Sequence, residues 1–358
     1  MNVEDKLKLV KKGAEEIIME DEIRTILQEK QKPRTYIGFE LSGFLHLGTG
    51  IICGNKFKNM ADAGFETIVF LADWHSLINN KLNADMEKIK IAGEYFIKGF
   101  ESVGVKGPNI KYIWGSEIVE NVKYWEKVIR VAKNATLSRV LRTLPIMGRS
   151  SEGDIESSFI YYPAMQVADI FDMEIDVACG GMDQRKAHML ARDVAEKAGN
   201  KKPACVHTPL LTGLKGLGDK MDADAVPDLG MVIEGKMSKS KPDSCIFIHD
   251  DEEEITRKIK GAHCPAKILN GNPVTDILKY TIFNEVDSFL IERKPKFGGD
   301  VTYNSFLDFS KDFKEGTIHP LDLKFAVAKN LAEILKPSRK FFDKHSAILD
   351  EMEKLKKD

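Results

Sequence analysis

The chain has no C-x-x-C pair, no apolar run of membrane-spanning length and almost no net charge. Its five cysteines, Cys53, Cys179, Cys205, Cys245 and Cys264, are odd in number and scattered. That pattern argues against a disulfide framework and for a reducing compartment, which here means the cytoplasm. Cys205 and His207 resemble half a metal site, but no second pair of ligands follows at a usual zinc spacing, so no protein-bound metal is expected. The first thirty residues are rich in Asp, Glu and Lys, unlike a signal peptide, and no membrane association is expected. A formal charge of −2 leaves no global basic field, so a polyanionic partner has to be met by local patches.

What is present is ordinary globular material: 358 residues, 43% hydrophobic and 30% charged. This length predicts one large domain and a smaller one. Residues 3–30 read as one or two amphipathic helices, with Leu7, Val10, Ala14 and Ile17 at helical spacing. Short apolar runs at 35–39, 67–72, 110–114 and 175–178 read as strands. Helical patterns at 46–64, 86–103 and 185–198 alternate with them. Alternation of this kind predicts an α/β fold with a Rossmann-like, doubly wound parallel sheet. Residues 119–173 break the rhythm and read as a helical insertion. Residues 214–235 are rich in Gly and Asp and read as a mobile loop, part of a longer loop region over 214–243. Beyond residue 252 the pattern turns all-helical. One stripe (Leu323, Val327, Leu331, Ile334) stops before Pro337, and another (Phe341, His345, Ile348, Met352, Leu355) follows. The expected organisation is a Rossmann-like α/β domain over 1–251 and an all-α domain over 252–358.

Two motifs carry the chemistry. The first is Tyr36-Ile37-Gly38-Phe39-Glu40-Leu41-Ser42-Gly43-Phe44-Leu45-His46-Leu47-Gly48-Thr49, read as a strand, a tight turn and a helix start. A helix start offers free backbone N–H groups and a positive dipole end, both suited to phosphate. Gly48 leaves the first turn bare, so a base or ribose can approach. His46 and Thr49 lie three apart, on one face, and both can donate to a phosphate oxygen. The second motif is Lys236-Met237-Ser238-Lys239-Ser240-Lys241, read as a flexible cationic loop able to meet a triphosphate. Taken singly, each has a plain alternative: a histidine cap and a solvated basic turn. In this order, around a predicted sheet, they resemble the two signatures of the class I aminoacyl-tRNA synthetases.

The resemblance narrows to tyrosyl-tRNA synthetases of the archaeal and eukaryotic type. It is carried by Leu71-Ala72-Asp73-Trp74-His75, Tyr162-Pro163-Ala164-Met165-Gln166-Val167-Ala168-Asp169-Ile170, Gly180-Gly181-Met182-Asp183-Gln184-Arg185-Lys186, Lys296-Phe297-Gly298-Gly299-Asp300 and His319-Pro320-Leu321-Asp322. On a helix, Tyr162, Gln166 and Asp169 fall at i, i+4 and i+7 and share a face. The resemblance implies that Tyr36 and Asp169 meet a phenolic oxygen, that Tyr162, Gln166 and Gln184 meet an α-amino group, and that His75 lines the same L-tyrosine site. It implies ATP contacts from Gly38, Glu40, His46, Gly48, Thr49, Asp183, Lys236, Met237, Ser238 and Lys239, with Mg2+ accompanying the nucleotide. Asp183 has a competing reading as the N-cap of the helix expected from about residue 185. The resemblance further implies tRNA(Tyr) as partner, with Phe297, His319 and Asp322 at the anticodon and Arg139, Arg142, Arg185 and Lys186 at the acceptor stem. A homodimer through the insertion is also implied. Thr49 stands where the family usually has a second histidine, and Leu41 where it commonly has proline. The nearest alternative is a tryptophanyl enzyme. The Tyr36–Asp169 pair argues against it, since an indole N–H needs only an acceptor.

Overall fold

The computed structural model describes residues 1–148, 155–217, 227–239 and 242–357. Two compact units divide the chain: Met1–Gly43, Asn55–Thr208 and Asp350–Asp358 form one, Phe44–Gly54 and Pro209–Leu349 the other.

The first unit is built on six strands: β1 (Glu16–Ile18), β2 (Arg34–Phe39), β3 (Glu66–Leu71), β4 (Ile110–Trp114), β5 (Val177–Gly181) and β6 (Ala204–Thr208). Their spatial order is β1-β6-β5-β2-β3-β4. All neighbours are parallel except β1, which runs antiparallel to β6. The strands read as near-continuous apolar runs because helices cover the sheet: five of the six residues of β3 and all five of β6 are buried. From β2 the chain steps outward through β3 and β4, then β5 returns to the other side of β2. The order therefore reverses between β2 and β5, and the carboxyl ends of these strands, at Phe39 and Gly181, are where sheets of this kind bind ligands. The helical insertion contributes Val122–Lys133, Leu137–Thr143 and Tyr161–Asp172.

The four expected strands are present with ends shifted by up to three residues, and two more join them. The one or two helices expected over 3–30 are present as two, and only the helical spacing carried on through Ile17 is corrected, by β1. The first helix stops at Lys11, Ile17 lies in β1, and a second helix spans Glu20–Glu29. Pairing with β6, almost two hundred residues away, overrides the local helical spacing.

The second unit departs from the all-helical expectation. Its helices Glu252–Gly261, Phe306–Glu315 and Pro320–Asp343 are accompanied by an antiparallel hairpin, β7 (Phe289–Ile291) and β8 (Val301–Tyr303). Phe289 and Ile291 point inward and Leu290 outward, the alternation of a half-buried strand too short to read in sequence. The helical stripe does not stop before Pro337. Leu335, Ser338 and Phe342 are all buried on one continuous helix, and their packing outweighs the hydrogen bond that proline forfeits. The loop expected over 214–235 is also corrected where it is described. Asp228 accepts from Met231 N and starts a helix over Leu229–Gly235, while residues 218–226 lie outside the described residues.

Candidate active site

Three elements of the first unit supply the candidate side chains. β2 presents Tyr36, the helix Tyr161–Asp172 presents Tyr162, Gln166 and Asp169, and the turn after β5 presents Gln184. A fourth, the helix Asp73–Ile78 after β3, carries His75. The polar face expected on the helix Tyr161–Asp172 therefore points inward: Tyr162 and Asp169 are both buried, Tyr162 in a cluster with Leu144, Ile146, Met147, Phe159 and Ala187.

The tyrosine-site expectation centred on Asp169, and the structure adds a residue to it. Asp169 Oδ1 accepts from Tyr124 Oη at 2.8 Å. Tyr124, fully buried on the insertion helix Val122–Lys133, was not singled out from sequence. Its only signal is a tyrosine in register with the buried Val128 and Val131, a position where a hydroxyl needs a partner. Burial pushes the Asp169 carboxyl well above its ordinary range, and the Tyr124 hydrogen bond acts against that rise. Tyr36 Oη, Gln166 Oε1 and both ring nitrogens of His75 are enclosed and make no hydrogen bond. Several orphaned polar atoms around one carboxyl are unusual in a folded interior and mark a place built for a ligand with polar ends. A candidate donor, Tyr36, thus stands near a candidate acceptor, Asp169. Gln166, which also stands beside the Tyr36 hydroxyl, donates through Nε2 to Gln184 Oε1 at 3.2 Å, which leaves its Oε1 as an acceptor.

His75 stands edge-on to the Tyr162 ring, with centroids 4.6 Å apart, and its Nε2 lies 3.4 Å from Asp169 Oδ2. Burial pulls the ring down to about 4, so at neutral pH the contact is between a neutral imidazole and a carboxyl and is not an ion pair. The folded state binds fewer protons than the unfolded chain between about 4 and the ordinary 6.5. Stability is therefore complete above that window and falls as pH drops through it, by on the order of 3 kcal/mol at pH 4. Thermal melts from pH 7 to 4 should show this slope, and His75→Gln should flatten it; an unchanged slope in the variant would assign it to other groups.

Tyr162 Oη donates to Glu40 Oε1 at 2.9 Å. Glu40 also receives Asn79 Nδ2 at 2.5 Å and Lys81 Nζ at 3.1 Å. Asn79 and Lys81, absent from the sequence reading, hold Glu40 at the end of β2. Gly38 is an exposed position of that strand. Asp183 lies in the 3-10 turn Met182–Gln184, and its reading as a helix cap is corrected. Gln184 takes the cap position of the helix Arg185–Val194 and makes no capping hydrogen bond with its side chain.

The remaining nucleotide candidates lie in the second unit. After Leu47 the chain forms a π-turn over Gly48–Cys53. His46 Nδ1 accepts from Gly48 N at 3.1 Å, and Nε2 lies 3.3 Å from Thr49 Oγ1. In the neutral ring this puts the proton on Nε2, so the imidazole presents a donor. A Cβ at Gly48 would stand 3.1 Å from the His46 ring, a tight contact that glycine avoids. Lys236 and Met237 are pinned by backbone: Lys236 bridges Thr212, and Met237 N donates to Leu211 O at 2.7 Å. The signature thus begins at a helix end held by an isolated antiparallel bridge and not as the free loop expected from its composition. Ser238 and Lys239 follow, and Ser240 and Lys241 lie outside the described residues.

Among the RNA candidates, Phe297 is 58% exposed on the β7–β8 loop, with Lys296 Nζ 4.9 Å from its ring centroid. Arg293 donates to Gly299 O and to Thr317 O, both at 2.8 Å, and so ties that loop to the turn before His319. His319 caps the helix Pro320–Asp343 through Leu321 N at 3.1 Å, and Asp322 sits half-buried in its first turn. Arg139 pairs with Asp193 at 2.6 Å and Arg185 with Glu16 at 2.8 Å, while Arg142 and Lys186 are exposed.

None of the five cysteines is bonded to another. Among the described residues no three His, Cys, Asp or Glu side chains group as metal ligands, and no helix is long and apolar enough to cross a membrane.

A family model described as tRNA synthetases class I (W and Y) matches residues 28–223 and 230–336. The tyrosine–tRNA ligase of Sulfolobus acidocaldarius is 45% identical, covering 100% of this chain and 99% of its own. The crystal structure of tyrosyl-tRNA synthetase from Pyrococcus horikoshii, complexed with L-tyrosine, superposes with a TM-score of 0.90 at 42% identity, covering 99% of this chain and 100% of that one. The tryptophanyl-tRNA synthetase of Aeropyrum pernix K1 covers 93% of this chain and 84% of its own at 17% identity and a TM-score of 0.67, a likeness of fold alone.

Proposed function

The chain belongs to the class I tRNA synthetases of the tryptophan and tyrosine group, and from that premise we propose that it is a tyrosine–tRNA ligase. It activates L-tyrosine with ATP, giving tyrosyl-adenylate and pyrophosphate, and passes the tyrosyl group to the 3′-terminal ribose of tRNA(Tyr). The observation that carries the choice of amino acid is the Tyr36 hydroxyl, without a hydrogen-bond partner, its pKa pushed up first by burial and then by an Asp169 carboxyl close enough to act on it. A phenol donates to Asp169 and accepts from Tyr36, whereas an indole N–H would leave Tyr36 unanswered.

The tyrosine carboxylate is a competent nucleophile at neutral pH, so the first step needs no general base. It needs in-line alignment on the α-phosphate and neutralisation of the triphosphate. We assign the neutralisation to His46, Thr49, Lys236 and Lys239. Gly38, Glu40, Gly48, Asp183, Met237 and Ser238 complete the nucleotide contacts, and Mg2+ enters with ATP as part of the substrate. His75, Tyr162, Gln166 and Gln184 orient the amino acid about Tyr36 and Asp169. The C-terminal region, 252–358, reads the anticodon through Phe297, His319 and Asp322; the exposure of the Phe297 ring supports a stacking role. Arg139, Arg142, Arg185 and Lys186 meet the acceptor stem, where phosphates compete with Asp193 and Glu16 for two of the arginines. The working form is a cytoplasmic homodimer.

Pyrophosphate exchange with each amino acid tests this reading. Tyrosine should support exchange. Phenylalanine, leaving two buried groups unpaired at about 1–3 kcal/mol each, should fall roughly 30-fold to 10⁴-fold below it. Exchange with tryptophan and none with tyrosine would overturn the assignment.

A further inference from the structure

The second unit holds a buried pair of opposite charges that neither the sequence reading nor the site above uses. Beyond the lysine signature, Pro242–Ser244 form a 3-10 turn, and residues 245–250 then run as a strap beside residues 45–47 of the first signature. Leu47 N donates to Ile246 O at 2.9 Å and Ile248 N donates to Leu45 O at 3.0 Å, so His46 and Phe247 face each other as an antiparallel bridge. The strap sits directly on the turn after His46: a Cβ at Gly50 would lie 2.4 Å from Ile248 Cγ2. Asp250 closes the strap on itself, its Oδ2 accepting from Phe247 N at 2.9 Å while its own N–H donates to Phe247 O at 3.2 Å. The same Oδ2 receives Lys258 Nζ, from the helix Glu252–Gly261, at 2.6 Å. That ammonium also lies 4.8 Å from the centre of the Phe247 ring. Asp250 and Lys258 are 8% and 7% exposed.

We propose that Asp250 and Lys258 are a positioning pair for adenylate formation: through Phe247 they fix the register in which the strap holds His46. The proposal rests on the reading of His46 as a phosphate donor. Its physical basis is that a buried ion pair adds little net stability over an apolar pair of the same shape, but its short, charge-assisted hydrogen bonds specify one geometry. A two-residue ladder is weakly specified by its own backbone bonds, and a slip of one residue would turn His46 to the opposite face. Asp250 removes that freedom by holding the backbone N–H of the residue that faces His46, and Lys258 holds Asp250 against the next helix.

The test is a double-mutant cycle in ATP–pyrophosphate exchange, with tyrosine affinity and thermal melting followed in parallel. Lys258→Met should lower kcat about tenfold to a hundredfold while tyrosine affinity changes less than about twofold. Asp250→Asn combined with Lys258→Met removes both charges and keeps an acceptor for Phe247 N. It should melt like the parent protein and still turn over about tenfold slower. In a His46→Ala background the same changes should alter kcat by less than about twofold, because the residue they act through is gone. Wild-type kcat in the charge-free double variant, or losses that multiply unchanged in the His46→Ala background, would reduce the pair to a structural role and overturn the inference. An unaffected kcat in His46→Ala alone would instead overturn the reading of His46 on which it rests.

Discussion

Asp169→Ala is expected to lower kcat/KM for tyrosine in pyrophosphate exchange by about tenfold to two-hundredfold, with the KM for ATP little changed. Two losses follow. The substrate phenol loses a carboxyl acceptor, worth about 1.5–3 kcal/mol, which at tenfold per 1.36 kcal/mol gives that range. The buried Tyr124 hydroxyl loses its partner in free and substrate-bound enzyme alike, so this term lowers stability, by about 1–3 kcal/mol, and leaves kcat/KM unchanged. The second loss is peculiar to this arrangement, since Tyr124 donates to Asp169 Oδ1 from the insertion helix. Activity within about threefold of the parent protein would mean that the carboxyl does not meet the substrate.

His46→Ala should reduce kcat for tyrosyl-adenylate formation by about 10²-fold to 10³-fold, the usual consequence of removing one preorganised donor to developing charge. Tyrosine binding should be untouched. The ring is preorganised in a specific sense: Gly48 N occupies Nδ1, so the proton resides on Nε2. Single-turnover formation of adenylate measures the effect directly, and a variant that keeps the parent rate would assign phosphate neutralisation to the lysines alone.

Much of this site was legible in the sequence because helical spacing is a local property. Tyr162, Gln166 and Asp169 fall on one face by counting alone, and the structure turns that face inward. The residues that hold the site were not legible, because their partners are distant in the chain. Tyr124 and Asp169 are 45 residues apart, and Tyr162 and Glu40 are 122 apart. Nothing in the local pattern of Asn79 or Lys81 announces Glu40. The same cause hid β1: three residues with helical spacing around them become a strand only because β6 offers an edge. Pro337 misled for the opposite reason. A strong local rule met a helix whose buried face continues past it.

The pairing of β2 with β5 also has a consequence for biosynthesis. Thr35 Oγ1 bonds to Val177 O across 142 residues, and only two backbone positions of β2 register with β5. During translation β2, β3 and β4 can associate early, but one edge of β2 stays open until the whole insertion has left the ribosome. The candidate site cannot close until Val177–Gly181 has been made, and through that interval the nascent chain carries an unprotected strand edge, the feature most prone to pairing with a stranger.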